Sequence, residues 1–154
     1  MQRSIVMTIA GLWLVLGLSS AFAQYAPYQQ TAEDEYWVAT LGKIKDLNEK
    51  EPVLAKARYL NEDGEIMAEE KVFVRWIKIN KDTGRWVVLS GICPYLKCLV
   101  EWDSNTQKFI DPCFGCEYDI DGEWLKGPDK SPLPDYSDLA YEEDGMLMLK
   151  RLAE

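Results

Sequence analysis

The chain has 154 residues, 47% of them hydrophobic and 28% charged, with 17 basic and 26 acidic residues, four cysteines and no histidine. That profile belongs to one globular domain and excludes fibrous, low-complexity and multi-span membrane classes. A net charge of −9 argues against nucleic acid and anionic lipid surfaces as partners, since both repel an acidic protein.

In chain order, Arg3, the apolar run from Ile5 to Leu18 and the closing Ala21-Phe22-Ala23 follow the order of a secretory signal peptide with an A-x-A cleavage site. Residues 1–23 are therefore expected to be a Sec-type signal, with a mature chain starting at Gln24. The stretch from Ile5 to Ala23 is also long enough to serve as an uncleaved membrane anchor. Either way the folded part is expected outside the cytoplasm, in the periplasm or an equivalent compartment. A membrane contact is expected only through an uncleaved residue 5–23 segment or through a partner. Loss of residues 1–23 removes one arginine and makes the net charge −10. Such acidity serves solubility first, and it would also suit a basic protein partner, a small cytochrome for example.

Residues 24–34, with Pro27, Gln29 and Gln30, read as a linker. Residues 35–154 then read as short strands broken by turns. Tyr36–Thr40 is a first strand. Val53–Leu60 alternates and ends at the turn Asn61-Glu62-Asp63-Gly64. Val72–Ile79 and Arg85–Leu89 form a hairpin around Lys81-Asp82-Thr83-Gly84. Asp121-Gly122 and Asp144-Gly145 are hairpin-type turn pairs. Past the signal no segment holds a helical period over ten or more residues. The fold class is all-β, a small antiparallel sandwich or barrel.

All four cysteines fall between Cys93 and Cys116, spaced C-x4-C-x14-C-x2-C. In an exported chain this density points first to disulfides, and spacing alone leaves three pairings open. A four-thiolate zinc or iron–sulfur site competes; the Cys113/Cys116 spacing suits a metal knuckle better than the Cys93/Cys98 spacing does. The acidic pairs Glu33-Asp34, Glu69-Glu70 and Glu142-Glu143 lack calcium-loop spacing and read as solvated surface. No nucleophile elbow or phosphate loop is present, and no imidazole is available as a general base.

The segment Cys93-Pro94-Tyr95-Leu96-Lys97-Cys98 resembles the first box of Rieske iron–sulfur proteins, C-T-H-L-G-C. Asp111-Pro112-Cys113-Phe114-Gly115-Cys116 resembles the second, C-P-C-H-G-S. Trp102, the turn Asp103–Thr106, Tyr118, Gly127-Pro128 and Leu133 continue the likeness, which runs over roughly residues 35–152 and is strong over 85–128. The nearest likeness is to the Rieske subunits of photosynthetic cytochrome b-type complexes. It implies a Rieske-like β domain with a loop subdomain at the cluster position, and a disulfide between Cys98 and Cys113.

The departures from the boxes shape the functional expectation. A Rieske cluster needs two thiolates on one iron and two imidazoles on the other. The corresponding positions here are Cys93, Tyr95, Asp111 and Phe114. One thiol survives, Phe114 has no donor atom, and Tyr95 and Asp111 offer hard oxygens. The expectation is therefore a protein with no cofactor, no metal and no catalytic residue, in which Cys93 and Cys116 form a second disulfide across the former cluster site. A four-cysteine metal site is the minority alternative. The expected function is that of a cluster-less accessory or structural subunit of an exported or membrane-bound electron-transfer assembly, not an enzyme. An electron carrier with an atypical four-cysteine site, and a thiol–disulfide redox protein working through Cys93 and Cys116 at exposed loop tips, are the alternatives.

Overall fold

The computed structural model describes residues 36–47 and 51–153. The signal or anchor (1–23) and the linker (24–34) expected from the sequence lie outside the described residues.

Among the described residues, ten strands form two antiparallel sheets. Strands β1 (Tyr36–Lys43), β2 (Val53–Leu60), β3 (Ile66–Lys78), β4 (Gly84–Ser90), β9 (Ala140–Glu143) and β10 (Met146–Leu152) make a six-stranded sheet in the order β4-β3-β2-β1-β10-β9. Strands β5 (Glu101–Asp103), β6 (Lys108–Ile110), β7 (Glu117–Tyr118) and β8 (Trp124–Lys126) make a four-stranded sheet in chain order. Two single-turn 3-10 segments, Ile44–Asp46 and Ser137–Leu139, are the helical elements among the described residues. This is the all-β antiparallel architecture that the sequence implies.

Strand alternation explains how one sheet serves two cores. Successive side chains of a strand point to opposite faces. Val72 and Val74 of β3 and Val88 of β4 pack with Ala57, Tyr59, Leu147 and Leu149 in the first core. Their neighbours Phe73, Val87 and Leu89 turn the other way, onto Val100, Phe109, Tyr118 and Leu133 in the second. The unbroken apolar runs Val72-Phe73-Val74 and Val87-Val88-Leu89 are thus strands buried on both faces. Burying Phe109 fully, with ring centroids 4.8 Å from Phe73 and 4.9 Å from Trp102, contributes roughly 2–3 kcal/mol.

The small sheet is docked by main-chain bonds as well as by packing. Segment 133–134 links the two sides: Ser90 N at the end of β4 donates to Pro134 O (2.8 Å), and Leu133 N donates to Gly122 O (2.9 Å) in the β7–β8 turn. Arg75 Nη2 bonds Asp121 Oδ1 at 2.7 Å across the join. At the far end of the large sheet, Asp144 (φ 49°) and Gly145 (φ 75°) form the β9–β10 turn, with the two left-handed residues that a tight hairpin requires.

Candidate functional site

The two cysteine-bearing loops are built on one hydrogen-bond plan. In residues 93–98, Cys93 N donates to Cys98 O (2.8 Å) and Lys97 N to Cys93 O (3.1 Å). In residues 111–116, Asp111 N donates to Cys116 O (2.8 Å) and Gly115 N to Asp111 O (2.9 Å). The fifth residue of each loop is left-handed, Lys97 at φ 60° and Gly115 at φ 66°. Cys93 and Asp111 therefore occupy equivalent first positions, and Cys98 and Cys116 equivalent last ones. A disulfide joins Cys98 to Cys113, with Cα atoms 6.5 Å apart, so the loops are held side by side.

Between the loops lies a buried polar centre. Cys93, Cys116, Asp111 and Tyr118 each have 0% exposure. Cys93 and Cys116 are free thiols, and their sulfurs and a carboxylate oxygen of Asp111 all lie within 4.8 Å of one another. The Tyr118 hydroxyl shares a 3.3 Å hydrogen bond with Cys93 Sγ. Asp111 Oδ1 accepts from the amides of Cys113 (2.8 Å) and Phe114 (3.4 Å), an Asx turn that shapes the second loop. Its other oxygen, Oδ2, is buried with no hydrogen-bond partner among the described residues.

Electrostatics follow from that burial. Desolvation pushes the Cys116 thiol above its ordinary value, helped by the adjoining Cys93 and, to a lesser degree, by the Asp111 carboxylate. Desolvation also raises the Tyr118 phenol, with its bond to Cys93 as the next cause. Gly127 roofs the centre: a Cβ there would meet Cys116 Sγ at 2.7 Å and Cys116 Cα at 2.9 Å, and its φ of 129° is one L side chains rarely adopt.

Outside this centre is an apolar rim. Tyr95 and Phe114 stand edge to face at 5.6 Å, and together with Leu96 they are 43%, 47% and 54% exposed, in the order Tyr95, Phe114, Leu96. The structure thus brings all seven sequence-predicted positions to one end of the domain and sorts them. Cys93, Asp111 and Cys116 are inside, Cys98 and Cys113 form the staple, and Tyr95 and Phe114 face out. Placing Cys93 and Cys116 at exposed loop tips, as the thiol–disulfide alternative requires, is incorrect, because both are packed into the second core and Gly127 lies against Cys116. Tyr118 and Gly127 belong to the site, although in the sequence they stand out only as features of the family likeness.

The model of the Rieske [2Fe-2S] domain family matches residues 49–137, more than half of the chain. The chain belongs to the Rieske family. Curated relatives include the cytochrome b6-f complex iron-sulfur subunit of Prochlorococcus marinus strain AS9601, 39% identical over 66 residues, which are 43% of this chain and 36% of that protein. The same subunit of Chlorobaculum thiosulfatiphilum is 34% identical over 82 residues, 53% of this chain and 42% of that one. The matches thus span well under two thirds of the relatives' own length. Among solved structures, the cyanobacterial plasma membrane Rieske protein PetC3 of Synechocystis PCC 6803 aligns with a TM-score of 0.49 at 24% identity, covering 71% of this chain and 96% of that one.

These findings correct one expectation. A protein without a cofactor does not follow from the sequence: the matching family is a [2Fe-2S] domain, the relatives are iron-sulfur subunits, and Cys93, Asp111 and Cys116 form a group able to hold a metal ion. The missing histidines bear on which atoms would hold a group, not on whether the site holds one. The donors do not fit the two-thiolate, two-imidazole arrangement of the family. At the imidazole positions stand an outward phenol, Tyr95, and an outward phenyl, Phe114. The four-cysteine alternative also lacks its donors, because Cys98 and Cys113 are consumed in the disulfide.

Proposed function

We propose that this chain is an accessory, non-catalytic subunit of an exported or membrane-bound electron-transfer assembly, and that it docks through the rim of its twin loops. The observation carrying this reading is the exposure of Tyr95, Leu96 and Phe114 on a loop pair fixed by Cys98–Cys113. Apolar side chains already held in place lose little entropy on binding, and covering them is favourable. Aromatic anchors of this kind concentrate binding energy. The class of assembly is taken from the relatives, which are subunits of cytochrome b6-f complexes. The signal-like residues 1–23 support an extracytoplasmic compartment, and the net charge of −10 without them favours a basic face on a cytochrome or another membrane-complex subunit.

Turnover by the chain itself is not part of the reading. Thiol–disulfide exchange requires an accessible thiolate, whereas both free thiols are fully buried and burial disfavours the thiolate of Cys116.

A photo-crosslinking side chain at position 96, introduced in the native organism, tests the docking face. It should capture a haem-bearing or membrane-embedded subunit, and Leu96→Asp with Phe114→Asp should prevent co-purification of that subunit without altering the circular dichroism of the chain. A chain that migrates alone after mild solubilisation and yields no crosslink would overturn the proposal.

A further inference from the structure

The twin-loop centre contains a polar atom that protein–protein contacts leave unexplained. Asp111 is fully buried, and the Asx turn accounts for Oδ1 alone. Oδ2 has no partner among the described residues, yet a carboxylate oxygen of the same residue lies within 4.8 Å of two free sulfurs. Leaving such an atom unpaired carries its full desolvation penalty, which is larger still if it is charged. We propose that Cys93, Cys116 and Asp111 bind a single thiophilic divalent metal ion of the zinc class.

The donor set suits that ion. Zinc takes thiolate sulfur at ~2.3 Å and carboxylate oxygen at ~2.0–2.2 Å in a tetrahedral shell. Ligand atoms in such a shell lie roughly 3–4 Å from one another, so a group within 4.8 Å needs only a small contraction. On binding, the two thiols release their protons to solvent and the cation compensates the charge left behind. Tyr118, at 3.3 Å from Cys93 Sγ, donates to that sulfur once it is a thiolate, the kind of supporting bond that orients metal ligands. The main competitor is a Cys93–Cys116 disulfide. That bridge would consume both sulfurs and leave Asp111 Oδ2 buried beside an apolar S–S bond, still unpaired. A cation satisfies all three groups at once.

The test is elemental analysis of the full chain purified without chelator, followed by an anaerobic cobalt(II) titration of the metal-stripped protein with its Cys98–Cys113 bridge intact. One zinc-class ion per chain is expected, together with a near-ultraviolet thiolate-to-cobalt band and intense tetrahedral d–d bands. Asp111→Asn, which keeps an oxygen for the Asx turn, should weaken cobalt binding by at least on the order of 100-fold. Cys116→Ser should cut the charge-transfer band at saturating cobalt by about half, leaving the Cys93 contribution, and weaken binding. The wild-type titration decides the matter even if a variant misfolds. Free thiols with no cobalt band would overturn the proposal, as would absence of alkylatable thiol in the denatured, unreduced chain. Two irons with acid-labile sulfide would overturn it in favour of a cluster. The titration uses the isolated chain, so its failure leaves the docking proposal standing, and the reverse also holds.

Discussion

Loops 93–98 and 111–116 share a main-chain plan and differ in what fills it. Both close through a first-to-sixth and a fifth-to-first hydrogen bond. The first places a thiol at its opening position and a strained lysine at its fifth; the second places a carboxylate and a glycine. Backbone geometry therefore fixes where the functional atoms sit, and the residue types decide what those atoms can do. Cys93 needs no help to keep its loop shaped, whereas Asp111 must spend Oδ1 on two amides and has one oxygen left over.

The largest predicted effect comes from uncoupling the loops. The bridge spans a sequence separation of 15 residues, and closing a loop of that size is worth about 3 kcal/mol. Cys98→Ser with Cys113→Ser should lower the unfolding free energy by that amount in urea titrations. It should also raise hydrogen exchange at loop amides while the β1–β2–β10 amides stay protected. Uniform loss of protection would show that the loops are not an independent unit.

Gly127→Ala separates the loops differently, because the atoms that a Cβ there would meet most closely all belong to the second. A Cβ at 2.7 Å from Cys116 Sγ and 2.9 Å from its Cα must displace backbone, so a cost of about 1–3 kcal/mol is expected. The near-ultraviolet signal of Trp124 and Tyr118 should change with it. A silent substitution would mean that the second loop yields freely.

Much of the scaffold was legible from the chain, for identifiable reasons. Val53–Leu60 alternates and is β2 over the same span. The hairpin around Lys81–Gly84 is β3–β4, but β3 begins at Ile66, six residues before the expected Val72. The Glu69-Glu70-Lys71 run conceals that first half. In the structure Lys56 and Arg58 pair with Glu69 across the strands, and Tyr59 donates to Glu70. Strands β5 to β8 are two or three residues long, too short for any period to show, and exist because the second core holds them. At the site, the likeness to the Rieske boxes located the Cys98–Cys113 bridge, whereas the second bridge expected between Cys93 and Cys116 is not formed and the two remain free thiols. Their complete burial rests on the second core, whose Phe73 and Leu133 lie far along the chain from either cysteine, and at Cys116 on Gly127, so no local pattern carries it.

A smaller pair of effects has opposite signs. An L residue in the left-handed region costs ~1–2 kcal/mol, and glycine there costs mainly chain entropy. Lys97→Gly should therefore stabilise by up to about 1 kcal/mol. Gly115→Ala should destabilise by about 1 kcal/mol, since its Cβ would enter open space and only the backbone penalty remains. Equal signs for the two substitutions would break the equivalence of the loops.

The smallest effect contrasts the site with the large sheet, each of which buries a tyrosine. Tyr118 bonds a sulfur, whereas Tyr59 in the first core donates to Glu70, with Arg151 and Tyr136 alongside. Burial, the Glu70 hydrogen bond and the Glu70 charge, in that order, hold the Tyr59 phenol above its ordinary 10.0, with Arg151 opposing them. A folded-state value above the unfolded one means that the unfolded chain ionises first. The contribution is then complete below pH 10 and drains away as the pH rises further. Tyr59→Phe should cost stability at neutral pH, because Glu70 loses its donor, yet flatten the alkaline limb of the stability curve. If wild type and variant instead lose stability in parallel above pH 10, the alkaline response belongs to the other raised phenols, Tyr136 and Tyr141 among them.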